Sequence, residues 1–314
     1  MIEETGKQAV VPWSSRADAR QPADREEGTD NFTTVSVDIC PNPVFVIGSP
    51  RSGTSVLPWA LAHHFDFWTT EETEFIHGLF GEGEAVKVYA DLCEKKRTFI
   101  THHGVDHKEF FSSLGLGLNA LISSRSEGRR WVDQSPGYTT MAWTLADMFP
   151  GSYFIHVLRD GRAVVNSMLH FADHAAADVP KEALPPWAID FEAAVRTWTH
   201  YVEFALKFCE GNPDRTITVR NEDLVENPEA EFRRLFEFLG TSDNTQPAKF
   251  FKNSRINSSF GPLVWGTETK DRAVRRATAA GAWRDWSDEQ RAVFSDIAGD
   301  LLRTLEYPVD SDPK

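Results

Sequence analysis

The sequence predicts an α/β fold: a parallel β-sheet flanked by helices on both faces, with loop or helix lids. Three observations predict it. Short apolar runs ending at Gly, Asp or Arg recur along the chain, and stretches of helical periodicity fill the intervals between them. The first run, "VFVIG", leads straight into a glycine-containing loop, "SPRSGTS", of the kind that binds phosphate, which makes the sheet P-loop-type.

The chain has 314 residues, 41% hydrophobic and 25% charged, enough for a sizeable core in one domain. Residues 1–40 are polar and broken by Pro and Gly, and they carry too little apolar surface to offset the entropy of ordering them. They read as a disordered or weakly ordered tail, and 41–314 as the domain. The elements then follow in order. Strands are expected at 44–48, 65–69, 130–133, 153–159 and 216–220. Helices are expected at 54–64, 84–97, 107–123, 139–149, 160–171, 190–210, 228–239 and 287–304. Pro228 suits a first helical position. Two loop-rich stretches, 171–190 and 253–283, interrupt the alternation and read as lids.

Charge and composition exclude several classes. A net charge of −14 argues against nucleic acid, because phosphate backbones need a basic surface, so any anion site must be local. No apolar run approaches the roughly 20 residues of a membrane-spanning helix, and the acidic start lacks the order of a secretory signal. Cys40, Cys93 and Cys209 are too few for a disulfide framework and too dispersed for a metal knuckle, as expected of a cytoplasmic protein. The histidines at 101–110 and 170–174 lack partners at metal-site spacing, so no metal is expected.

The loop poses the functional question. Gly48 and Gly53 keep the spacing of a nucleotide-triphosphate loop, but Thr54 stands where the lysine belongs, and the cation is Arg51 in mid-loop. With Ser52, Thr54 and Ser55 adding hydroxyls, the loop and the start of the next helix form an anion nest. A second anion site is expected at "HVLRDGRAVVNSM", where Arg159 ends a strand and Ser167 follows two helical turns on.

The pair "GSPRSGTS" and "RDGRAVVNS" resembles the two signatures of sulfotransferases that use 3′-phosphoadenosine-5′-phosphosulfate (PAPS), especially the bacterial and tyrosylprotein-type branch. "EET" at 71–73, "EDLVENPEAEFRRLFEFLG" and "GAWRDWSDEQ" extend the likeness across about 44–307. It implies that Arg51, Ser52, Gly53, Thr54 and Ser55 hold the 5′-phosphosulfate and that Arg159 and Ser167 hold the 3′-phosphate. Ser258 or Ser259 looks like the family serine that contacts the transferring group. The family's product is adenosine 3′,5′-bisphosphate (PAP), and the acceptor is a small-molecule, glycan or lipid hydroxyl. Three positions depart from the pattern: Gln134 replaces a lysine, Asn221 a tyrosine and Phe171 an arginine.

Sulfuryl transfer needs a group to take the acceptor's proton, and Glu72 in "TTEETEF" matches the family's catalytic glutamate by its distance from Arg51. Thr69-x-x-Glu72 also fits a helix capping box. Two other functions fit parts of the pattern. A P-loop nucleotide kinase would use Asp160 to hold magnesium, and a non-catalytic PAP/PAPS-binding relative would explain Gln134.

Overall fold

The computed structural model describes residues 9–11, 35–171, 183–253 and 282–308. Ala9–Val11 (β1) pairs antiparallel with Val35–Val37 (β2), inside the stretch the sequence marks as a tail. The main sheet comprises Val44–Gly48 (β3), Phe67–Trp68 (β4), Arg130–Asp133 (β5), Tyr153–Leu158 (β6) and Thr216–Arg220 (β7). Its order is β4-β5-β3-β6-β7, with every neighbouring pair parallel. The five strands fall on the five apolar runs. The run at 65–69 shrinks to two paired residues because the chain turns first: the Phe67 N–H donates to the His64 carbonyl and the Asp66 N–H to the His64 imidazole.

Helices cover both faces, as the parallel sheet requires. They are Val56–Leu61 (α1), Glu74–Phe80 (α2), Glu84–Glu94 (α3), Phe99–His103 (α4), His107–Ser123 (α5), Ala142–Met148 (α6), Gly161–Leu169 (α7), Phe191–Gly211 (α8), Asn221–Glu226 (α9), Pro228–Leu239 (α10), Gln246–Asn253 (α11) and Asp288–Thr304 (α12). α2, α4, α9 and α11 were not expected: none exceeds eight residues, too short a window for a 3.6-residue period to stand out. α1 begins at Val56, two residues later than expected, so Thr54 and Ser55 belong to the loop and a six-residue helix adds little dipole.

Alternation along β3 divides the core. Val44 and Val46 pack toward α1, α10 and α11, whereas Phe45 and Ile47 pack toward α5, α6 and α8. Phe45 meets Trp131, Tyr138 and Phe154 at ring-centroid distances of 5.4–5.5 Å. A third cluster joins α7, α8 and α12. Cys40 is buried at the edge of the second cluster, where its N–H donates to Asn119 Oδ1 and Ser123 Oγ and its carbonyl accepts from Asn119 Nδ2. The chain runs from β3 to one side of the sheet and later crosses to β6 on the other. The crevice beyond the carboxyl ends of β3 and β6 is therefore the switch point where open α/β sheets take ligands.

Candidate anion and transfer site

The loop leaves β3 through a glycine that sterics demand. A Cβ on Gly48, at φ +156°, would fall 2.6 Å from the Val157 carbonyl oxygen of the neighbouring strand. The Gly48 N–H donates to Thr139 Oγ1 at 2.8 Å, and the Thr139 hydroxyl donates back to the Gly48 carbonyl at 2.9 Å. Arg51 then takes a left-handed conformation, φ +69°, which costs a non-glycine residue about 1–2 kcal/mol. The Ser52 N–H closes the turn on the Ser49 carbonyl at 3.1 Å. Ser52 is 1% exposed, and its hydroxyl has no hydrogen-bond partner among the described residues. Gly53, at φ +94°, lies against α9, where a Cβ would stand 2.3 Å from Asn221 Nδ2.

The second motif meets this loop directly. Arg159 Nη1 donates to the Arg51 carbonyl at 2.8 Å, while the Arg159 carbonyl accepts from Trp198 Nε1 at 3.3 Å. Arg51 Nε lies 3.4 Å from Ser167 Oγ, and the Arg51 guanidinium lies over the Phe171 ring at 5.5 Å from its centre. Burial lowers the Arg159 pKa, opposed by the nearby Glu222, Asp160 and Tyr307. An arginine nonetheless stays protonated at any physiological pH. Asp160 caps α7 through the Arg162 N–H and takes the Arg162 guanidinium on both oxygens, at 3.0 and 2.6 Å. Its own N–H donates to Glu222 Oε1 at 3.0 Å. A carboxylate already bound in two-pronged fashion by an arginine is a poor magnesium ligand, which removes the feature that favoured the kinase reading.

The capping box at Thr69 and Glu72 does not form. The Thr69 hydroxyl donates to the Val132 carbonyl at 2.8 Å, and α2 starts only at Glu74. Glu72 is half-buried in the segment that joins β4 to α2. Gln134 follows β5 directly and is 7% exposed. Between them stands Asp133, which the sequence reading passed over. It accepts hydrogen bonds from the hydroxyls of Thr73 and Tyr138 and from the Gln134 N–H. The available signal was an ionisable residue ending an apolar strand, one position before Gln134. The structure thus brings Arg51, Arg159 and Ser167 into contact and sets the Glu72 and Gln134 segments on one carboxyl group. Ser258 and Ser259 lie outside the described residues.

Among the described residues, no group of three His, Cys, Asp or Glu is placed to hold a metal ion, and no helix is long and apolar enough to cross a membrane.

A glycine loop after the central strand, hydrogen-bonded to an arginine that follows the neighbouring strand, defines a P-loop-type α/β protein. The Sulfotransferase family model matches residues 43–245, and the chain belongs to that family. It is 25% identical over 275 residues to protein-tyrosine sulfotransferase A of Caenorhabditis elegans, covering 86% of this chain and 68% of the relative. Against protein-tyrosine sulfotransferase 1 of Danio rerio the identity is 27%, covering 86% of this chain and 73% of the relative. Among solved structures, a sulfotransferase from Mycobacterium avium superimposes with a TM-score of 0.51 at 15% identity, over 87% of this chain and 79% of that one. The sulfotransferase domain of a Synechococcus olefin synthase gives 0.50 at 20%, over 85% and 96%. These two likenesses are likenesses of fold.

Proposed function

We propose that the crevice between β3 and β6 binds PAPS and that the protein transfers its sulfuryl group to a hydroxyl acceptor, releasing PAP. Sulfuryl transfer is the chemistry of the family to which the chain belongs. The observation that carries the residue assignment is the contact of the two anion motifs, Arg159 on the Arg51 carbonyl and Arg51 beside Ser167. The donor set fits a phosphosulfate. The buried Ser52 hydroxyl has no hydrogen-bond partner among the described residues, and Gly48 and Gly53 let the loop pass close to the Val157 carbonyl and Asn221. Arg51, Ser52, Gly53, Thr54 and Ser55 would hold the 5′ end, and Arg159 and Ser167 the 3′-phosphate.

In the transfer step the acceptor oxygen forms a bond to sulfur as the bond from sulfur to the bridging oxygen breaks, in line, and Glu72 takes the acceptor's proton. Positioning and charge stabilisation then supply most of the rate, as in phosphoryl transfer. In this scheme Gln134 would donate a hydrogen bond toward the bridging oxygen, and Ser258 or Ser259, by the family resemblance, would contact the sulfuryl group. The acceptor we assign is a small-molecule, glycan or lipid hydroxyl. Cys40, Cys93 and Cys209 are all free thiols, which favours a reducing compartment such as the cytoplasm.

Turnover of labelled PAPS with a panel of hydroxyl compounds tests the reading, with Glu72→Gln as the decisive variant. Losing the proton acceptor while keeping the shape should lower turnover by roughly 100-fold or more with PAP affinity unchanged. Unaltered turnover removes Glu72 from the mechanism. Gln134, uncharged where relatives carry a cation, favours one second reading, a PAP-binding protein without transfer. PAP binding with no transfer to any acceptor, in wild type and in Gln134→Lys alike, would establish that instead.

A further inference from the structure

Asp133 is 3% exposed at the carboxyl end of β5, and the scheme above gives it no task. One of its oxygens accepts from the Thr73 hydroxyl and from the Tyr138 hydroxyl at 2.6 Å, and the other from the Gln134 N–H at 2.8 Å. The Thr73 N–H donates to it as well. The Thr73 and Tyr138 hydroxyl oxygens are themselves 2.7 Å apart. Burial pushes this carboxyl up, and the four hydrogen bonds it accepts oppose the shift.

An apolar side chain would fill the end of β5 without the cost of burying polar atoms. What the carboxyl adds is direction. Thr73 lies 60 positions earlier in the chain and is the residue after Glu72, while Gln134 is the residue after Asp133. The contact between the two segments is close along its length: a Cβ on Gly137 would fall 2.0 Å from the His77 ring of α2. We infer that Asp133 is a positioning residue for transfer, which through Thr73 and Tyr138 fixes the Glu72 segment against the loop that carries Gln134. The inference rests on Glu72 as the base. Its consequence is kinetic, because a displacement of about 1 Å at a reacting group can cost 100-fold in rate.

The test is a double-mutant cycle read by single-turnover transfer at saturating PAPS and acceptor, with PAP affinity measured by calorimetry. Thr73→Val removes the hydroxyl and keeps the shape; it should slow transfer roughly 10- to 100-fold with PAP affinity within about twofold of wild type. Placed on Glu72→Gln it should add no further loss, since both act through one group. Asp133→Asn keeps one acceptor oxygen for the two hydroxyls, so it should retain most of the rate, whereas Asp133→Val should not. Tyr138→Phe, which keeps the ring beside Phe45, serves as the second variant where Thr73→Val does not fold. A merely structural triad would lower the unfolding midpoint in these variants and leave the rate alone, and that result overturns the inference. So does an equal loss from Thr73→Val in both backgrounds. Glu72→Gln at the wild-type rate overturns the base reading and this inference with it. A slow Glu72→Gln beside a wild-type rate for Thr73→Val overturns the inference alone.

Discussion

Arg159 donates to the main-chain carbonyl of Arg51 at 2.8 Å, so the residue proposed for the 3′-phosphate also holds the loop proposed for the 5′ end. The two subsites are one hydrogen-bonded unit, and substitutions in it should not behave alike.

Ser167→Ala removes a hydroxyl that meets the Arg51 side chain. It should weaken PAP by about tenfold, the worth of one hydrogen bond to a charged group, and leave adenosine 5′-phosphosulfate unaffected. Arg159→Ala should weaken PAP by roughly 100-fold and also weaken adenosine 5′-phosphosulfate, because the loop loses its tie. Calorimetric titration of both ligands checks this. Equal losses for the two ligands in Ser167→Ala would contradict the assignment of Ser167 to the 3′ side.

Gly53→Ala combines a left-handed backbone with a contact on Asn221. Its cost should be about 1–3 kcal/mol in urea unfolding. Asn221→Ala on the same chain should restore the part due to the contact and none of the part due to φ. Strictly additive effects of the two substitutions would mean that Asn221 is not what excludes a Cβ.

Gln134→Lys places an ammonium beside the proposed bridging oxygen. A charged donor exceeds a neutral one by about 1 kcal/mol or more, so single-turnover transfer should rise roughly tenfold. Gln134 is 7% exposed, and desolvation of the lysine should appear as a lower unfolding midpoint. An unchanged rate in a folded variant would show that position 134 does not face the leaving group.

His156 is fully buried in β6 with Nδ1 3.2 Å from Thr218 Oγ1 and Nε2 without a partner among the described residues, and burial pushes its pKa down to about 4. The unfolded chain, with a histidine pKa near 6.5, binds the proton more readily. Stability from this group is therefore complete above about pH 6.5 and is lost as pH falls toward 4, by up to about 3 kcal/mol. The raised carboxyl of Asp133 acts in the opposite sense. Comparing wild type with His156→Gln in urea titrations from pH 4.5 to 7.5 isolates the histidine: the variant's profile should lack that acid loss. Parallel profiles would place the pH sensitivity elsewhere.

The main-sheet strands and the glycine loop after the first of them were legible in the sequence because each is a local pattern. An apolar run reports a buried strand, and Gly48 and Gly53 report a loop that cannot carry a Cβ, as the Val157 carbonyl and Asn221 show. Arg159 and Ser167 are two helical turns apart, and a period alone relates them. Local patterns also misled. Thr69 and Glu72 have the spacing of a capping box, yet the Thr69 hydroxyl goes to Val132 and the helix starts after them. Only the tertiary structure brought Arg51 to Ser167 across 116 positions, and Thr73 to Asp133 across 60. Periodicity records which side of each element faces the core. Which polar groups meet beyond the strand ends depends on strand order and on where each crossover returns, and neither is written in any single stretch of the chain.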